Sequence, residues 1–353
     1  MIGELNEFLQ PIDAPVSQQR GYVSGVDFDS QYRLPPGALD YTNIKLSSRP
    51  FTAVVSLSGD AGTFKDIQLA INYVHQYGGG TVFIRQGTYT INASITMYSS
   101  IEIVGESQTT TIIDFNTTSS QILCSSISNF KIRNLSLING RSATGAIYLD
   151  QCNYYLLDRI YFSSNSDSGG NHADIYFNFN SQNGLVNNCY STLAGTFCLI
   201  NTNGILTQNS FTFNNIFGSK KYAFSGDGRG SYIGNNIQDF VISAINGNFD
   251  ACRITNNYID SNSNTAECIV ISSGIQNSIN NNYIKTSNAN KGCVLLKDNS
   301  YDSQIVGNYI EANGTGKAVV FNASGDTANT LVGNRLIGGY TNNGSSNNIT
   351  GNV

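Results

Sequence analysis

From about residue 130 onward, apolar and polar positions repeat one short phrase, roughly apolar-x-x-Asn-x-apolar. It stands as LVNNCY, LTQNSF, IGNNI, ITNNYI, INNNYI, IVGNYI, LVGNRL and ITGNV. The repeated amide is placed at Asn188, Asn209, Asn236, Asn257, Asn282, Asn308, Asn334 and Asn352. From Asn188 to Asn334 the mean interval is about 24 residues, within the range of solenoid repeats. A second apolar run falls in each unit: AIYLD, DIYFNF, TFCLI, CIVIS, CVLLKD and AVVFN. Earlier turns are degenerate, FKIRNLSL and YLLDRIYF carrying Arg133 and Arg159 near the Asn slot. Several short strands per unit and no helix predict an all-β fold, a right-handed parallel β-helix with three strands per coil. Coils stack about 4.8 Å apart. One Asn slot then becomes a ladder of amides that donate to and accept from their neighbours, and Asn tolerates the left-handed bend between strands.

The N-terminal part follows another pattern. FTAVVSLSGD begins as a strand. In TFKDIQLAINYVHQYGGG, Phe64, Ile67, Ile71 and Val74 keep helical spacing, which predicts an α-helix at about 63–77. Thr63 with Asp66 resembles a capping box, and Gly78–Gly80 end the helix. TVFIRQGTYTI and ITMYSSIEIVGES give short strands after it. Residues 1–50 hold all five prolines and no periodic apolar pattern, so they are expected to form an irregular arm that docks on a subunit or assembly. The β-helix domain is expected over 51–353.

Composition agrees with stacked amides. The chain is 40% hydrophobic but only 12% charged, with 35 Gly. A net charge of −5 and the lack of a basic run argue against nucleic acid as a partner. No apolar run is long enough to cross a membrane as a helix. The first residues lack the basic and apolar regions of a Sec signal. Several of the seven Cys sit in apolar runs such as FCLI and GCVLL, and they are read as small buried hydrophobes, not disulfides. No Cys/His cluster suggests zinc.

The stretch FKDIQLAINYVHQYGGGTVFIRQGTYTINASITMYSSIEIVGES resembles the N-terminal signature of the pectate-lyase-like superfamily. It joins an amphipathic helix, Gly-Gly-Gly-Thr-Val, a strand, Gly-Thr-Tyr and an Ile-x-Ile-x-Gly strand. The resemblance covers roughly 55–353 and implies a β-helix whose open end the helix caps. It also implies polysaccharide binding, since the superfamily includes pectate lyases, polygalacturonases, uronan epimerases and bacteriophage tailspikes. Their catalytic signatures are absent. KIR and CRIT only echo the polygalacturonase Arg-Ile-Lys, and the nearest phrase to the epimerase Asp-Pro-His-Glu is NHAD at Asn171–Asp174.

Candidate chemistry is therefore taken from the repeat itself. Three residues after each Asn slot stand Ser191, Thr212, Asp239, Asp260, Lys285, Glu311 and Ile337. Stacking would put Asp239 and Asp260 in one outer column, about 5 Å apart. That suits a retaining glycosidase pair, or a Ca²⁺ seat. The plainer reading is a surface column in which Asp260, Lys285 and Glu311 compensate one another. His172, with Asp174 nearby in SDSGGNHADIYF, is a candidate acid–base group. Lys220, Lys221 and Arg229 in FGSKKYAFSGDGRGSY could bind or deprotonate an acidic sugar. Tyr222, Tyr232, Tyr154 and Tyr155 could stack on sugar rings.

These features lead to three expectations. The first is a virion tailspike- or appendage-like protein at a virion or extracellular surface, binding and in one version cleaving a cell-surface polysaccharide. Its arm would join a homotrimer or larger assembly. The second is a free polysaccharide lyase or glycoside hydrolase. The third is a non-catalytic structural or decoration rod.

Overall fold

The computed structural model describes residues 51–142, 144–163, 165, 173–192, 195–200, 206–218, 220–261, 267–287 and 290–353. The expected arm at 1–50 lies outside this set. The described chain is an all-β, right-handed parallel solenoid of about ten turns. Its strands form a 22-stranded sheet and a 12-stranded sheet. Register between coils is regular: Tyr258 pairs Tyr283 and then Tyr309, and Ile254 pairs Ile279 and then Ile305. The second runs proposed from sequence, among them Ile147–Asp150, Ala173–Phe177 and Val294–Leu296, belong to the smaller sheet.

One seven-residue phrase explains the larger sheet. In Gln276–Asn282, Gln276 turns left-handed (φ 56°) and Asn277 points inward. Ser278 faces out, Ile279 fills the core and Asn280 faces out. Asn281 turns left-handed again (φ 56°), and Asn282 points inward. The phrase recurs at 302–308, 328–334 and 346–352. Each strand segment thus lies between two corners, here called corner A (Gln276) and corner B (Asn281). A left-handed bend followed by an inward amide lets the strand turn with its backbone groups satisfied.

The principal ladder stands one residue away from the expected slot in two coils and five residues away in a third. It runs Asn214, Asn235, Asn257, Asn282, Asn308, Asn334 and Asn352, the Oδ1 of each accepting from the backbone N–H of the residue before it in the series. Asn188 occupies the left-handed bend instead, and the inward position after it is Cys189, whose N–H donates to Asn214 Oδ1. Asn236 follows the ladder residue Asn235. Asn209 belongs to the inward row of corner A, accepting from Gly184 N and the Tyr155 hydroxyl. The expectation that one Asn both bends and ladders is corrected: the two tasks fall to successive residues. At corner B the bends from Gly234 onward are all Asn or Gly, the residues least strained in this conformation.

The core is one continuous column of Ile, Leu, Val and Phe. All seven Cys are free and buried. Several of the thiols donate to backbone carbonyls, Cys252 to Gly228 O (3.1 Å) and Cys268 to Lys285 O (3.2 Å) among them. Burial pushes the thiols of Cys189 and Cys252 up to about 12.

The helix spans Ile67–Gln76 and packs on the strands Phe51–Val55 and Gly80–Ile84 through Ile67, Ala70, Ile71 and Val74. Its N-cap is Asp66, not Thr63: the carboxylate accepts from Leu69 N at 2.9 Å. An acid fills this role well because its oxygens satisfy an otherwise orphaned N–H. Gly78, Gly79 and Gly80, all at positive φ, carry the chain into the first coils.

Candidate functional site

Corner A and the outward residues beside it form a groove of about 620 Å³. One wall is the column of bends Ala251, Gln276, Asp302 and Ala328. The other is the outward column Arg253, Ser278, Gln304 and Thr330, whose members are registered coil to coil. Each coil thus adds one bend residue and one outward residue, and the groove follows the solenoid axis over four coils. Four coils cover about 14 Å from first to last. Apart from Ala251 and Ala328, the lining is amide and hydroxyl with one cation and one carboxylate, Arg253 and Asp302, both exposed. Arg253 has no ion-pair partner among the described residues. Such a surface offers paired donors and acceptors to a polyhydroxylated chain.

Of the residues nominated from sequence, Arg229 lies beside this groove. It precedes Gly230 and Ser231, and Ser231 is registered with Arg253, so Arg229 stands at the upstream end near Ala251. It is exposed and has no ion-pair partner among the described residues. The other basic candidates go elsewhere. KKYAFSGDGRGSY is not one loop but two strands, Lys220–Ser225 in the smaller sheet and Gly228–Ile233 in the larger. Lys221 and Tyr222 are half-buried in the first strand, which Lys220 opens. Tyr232 is a core residue, 1% exposed, stacked 5.1 Å from Phe211. Burial pushes its hydroxyl well above the usual tyrosine range, and it cannot meet a sugar. Its register partner Ile254 shows why: Tyr232 occupies the core position of the seven-residue phrase. Tyr155 is buried as well, whereas Tyr154 is exposed.

The carboxylate pair is not formed. Because Asn235 is the ladder residue, the position facing Asp260 is Gln238, and Asp239 falls one residue later in a left-handed bend. Its N–H donates to Asp260 O, a backbone contact. The outer column is Gln238, Asp260, Lys285, Glu311 and Ile337. Lys285 Nζ lies 3.5 Å from Glu311 Oε1, and that carboxylate first, then Tyr283 and Asp260, raises the Lys285 ammonium above the usual lysine range. The plainer reading of a compensated column describes this geometry. Alongside, Tyr258, Tyr283 and Tyr309 stack face to face at 5.0 and 4.9 Å, with Arg335 over Tyr309 at 5.2 Å. The stacked faces are covered by their neighbours, so this row presents edges and hydroxyls.

His172 lies outside the described residues. Asp174 is 2% exposed and accepts a hydrogen bond from the buried Ser191 hydroxyl. It is an interior group, not a groove residue. Among the described residues, no group of three or more His, Cys, Asp or Glu is placed to hold a metal ion.

The groove residues Arg253, Gln276, Ser278, Asp302 and Gln304 were not nominated from sequence. Their signal is present in ACRITNN, QNSINNN and DSQIVGN once the phrases are aligned on both bends.

No family model matches the chain, and no curated protein matches it by sequence. Comparison of structures is more informative. The A-module of the mannuronan C-5 epimerase AlgE6 of Azotobacter vinelandii superposes with a TM-score of 0.61 at 16% identity, over 81% of this chain and 93% of that one. The surface adhesin PfbA of Streptococcus pneumoniae gives 0.61 at 12% identity, over 81% and 92%. A tailspike of the E. coli bacteriophage HK620, in complex with a pentasaccharide, gives 0.51 at 13% identity, over 80% and 66%. The chain therefore shares the parallel β-helix fold of these proteins.

Proposed function

We propose that this chain is a tailspike- or appendage-like protein that binds a cell-surface polysaccharide along the corner A groove. The observation that carries this reading is the groove itself, about 620 Å³ in volume and built from two positions repeated over four coils. A polymer of similar units suits a site of similar units. The epimerase and the pentasaccharide-bound tailspike that share the fold support the ligand class. The helix Ile67–Gln76 is read as closing the N-terminal end of the stack, which would otherwise expose strand edges. Residues 1–50 are proposed to dock on a homotrimer or larger virion assembly.

The test is a binding screen of the full chain against bacterial capsular and uronic-acid polysaccharides, beside an Arg253→Gln/Gln304→Ala variant. The reading predicts retention of at least one polysaccharide and its loss in the variant. Retention unchanged in the variant would place the site elsewhere. Chromatography of the same polysaccharides after incubation separates a binder from a lyase or hydrolase. A cleaving version would depend on Asp302, the carboxylate of the groove lining, and would be silenced by Asp302→Asn.

A further inference from the structure

Among the described residues, 24 that are not glycine hold a left-handed backbone, and two of them are aromatic: Tyr154 (φ 52°) and Phe213 (φ 53°). The same two are the most exposed aromatic side chains described, at 60% and 57%. Both features oppose folding. A bulky residue is an outlier in this conformation, and an exposed ring leaves apolar area in water. The neighbouring coils show what the backbone would prefer. Asn183 follows Tyr154 in corner A, and Phe213 stands between Asn188 and Gly234 in corner B. The Phe213 ring is nevertheless held in place. It lies over Gly234, where a Cβ would come within 2.7 Å of its Cε1.

The two rings bound one stretch of the larger sheet. They stand two coils apart, roughly 10 Å along the axis, and five residues apart across it, at most about 17 Å. On the Phe213 side of this stretch runs a connected polar row, while Leu156, Leu185 and Ser210 form the outward column on the Tyr154 side. Arg159 Nε donates to Asp158 Oδ2 (2.9 Å), Asn187 Nδ2 to Asp158 Oδ1 (2.9 Å), and Thr212 Oγ1 to Asn187 Oδ1 (2.7 Å).

We propose that Tyr154 and Phe213 are the ring platforms of an oligosaccharide subsite that crosses three coils beside the Asp158–Asn187–Thr212 row, upstream of the corner A groove. The chemistry selects a sugar over a protein. A pyranose offers an apolar C–H face to a ring and hydroxyls to amides and carboxylates. Two separate rings, with a polar row along one side of the stretch and the half-buried Leu156 and Leu185 along the other, match that alternation. A protein partner would use a contiguous apolar centre. The subsite rests on the polysaccharide reading and deepens it, adding ring contacts that the groove lacks.

The experiment applies the labelled full chain to an array of immobilised neutral, amino and acidic oligosaccharides, with Phe213→Asn, Tyr154→Asn and the Arg253→Gln/Gln304→Ala variant beside it. Asn suits the left-handed bend, so the urea midpoint of each aromatic variant is expected to hold or rise. Binding to the glycans recognised by the wild type is expected to fall about three- to tenfold for each ring lost. A lower urea midpoint would show that the rings serve the fold, and would overturn the inference. Loss of binding in the groove variant with none in the aromatic variants would overturn it while leaving the polysaccharide reading intact. A wild-type chain that labels no glycan would overturn both.

Discussion

Asn281 and Asn282 are adjacent and chemically identical, yet the structure gives them opposite stakes. Asn281 is exposed in a left-handed bend, where Gly is equally at ease. Asn282 is 2% exposed and fully engaged. Its Nδ2 donates to Ile254 O (2.8 Å), Asn280 O (3.0 Å) and Asn308 Oδ1 (2.9 Å). Its Oδ1 accepts from Asn257 N and Nδ2, both at 2.9 Å. Removing this amide orphans the buried Asn257 N–H and takes a donor from Ile254 O. Each buried group left unpaired costs about 1–3 kcal/mol. Asn282→Gly is therefore expected to lose about 3–5 kcal/mol, most of it from those two groups. Asn281→Gly should stay within about 0.5 kcal/mol of the wild type, as surface changes that suit the backbone do. Urea unfolding followed by far-ultraviolet circular dichroism gives both values. Because coils interact chiefly with their neighbours, the loss can show as an early local transition, which hydrogen exchange at Asn257 would locate. Equal losses at the two positions, or a larger one at Asn281, would refute the division of labour between bend and ladder.

Three further outcomes follow from the same contacts. Tyr155→Phe removes a buried 2.6 Å hydrogen bond to Asn209 Oδ1, but that oxygen still accepts from Gly184 N. The cost should stay near about 1 kcal/mol by urea titration, because no acceptor is orphaned. Lys285→Met breaks an exposed ion pair with Glu311, so any loss should be at most about 1 kcal/mol and should shrink as salt is added. The buried thiols give a pH signature. In the unfolded chain a thiol ionises near about 8.5, while Cys152, Cys189 and Cys252 are held up to about 11, 12 and 12 in the fold. The folded state then keeps protons that the unfolded state loses. Stability should be level below about pH 8 and fall as pH rises toward the folded values, a trend visible in urea midpoints at pH 7.5 and 10.5.

The repeat made the solenoid legible, since its spacing and the apolar runs place both sheets. Register was harder to read. In IGNNI the ladder could fall on Asn235 or Asn236, and bend and ladder positions both favour Asn. A slip of one residue exchanges inward and outward faces. That slip produced the apparent pairing of Asp239 with Asp260, which the structure replaces with Gln238. Tyr232 was misplaced for a related reason: GRGSY carries the composition of a turn, yet its Tyr takes the core position held by Ile254 one coil on. The groove was hidden because its residues differ in type from coil to coil and share only a position. Arg229 was found through its charge, and its place beside Ala251 and Arg253 emerged only from the register.

The central claim is that a polysaccharide lies lengthwise in the corner A groove. The most direct measurement is affinity against oligosaccharide length, by calorimetry with a graded series cut from a polysaccharide that the full chain retains. The account predicts that affinity rises with each added unit until the ligand covers the four coils from Ala251 to Ala328, and then levels off. Affinity that is independent of length from the shortest oligosaccharide onward would contradict it.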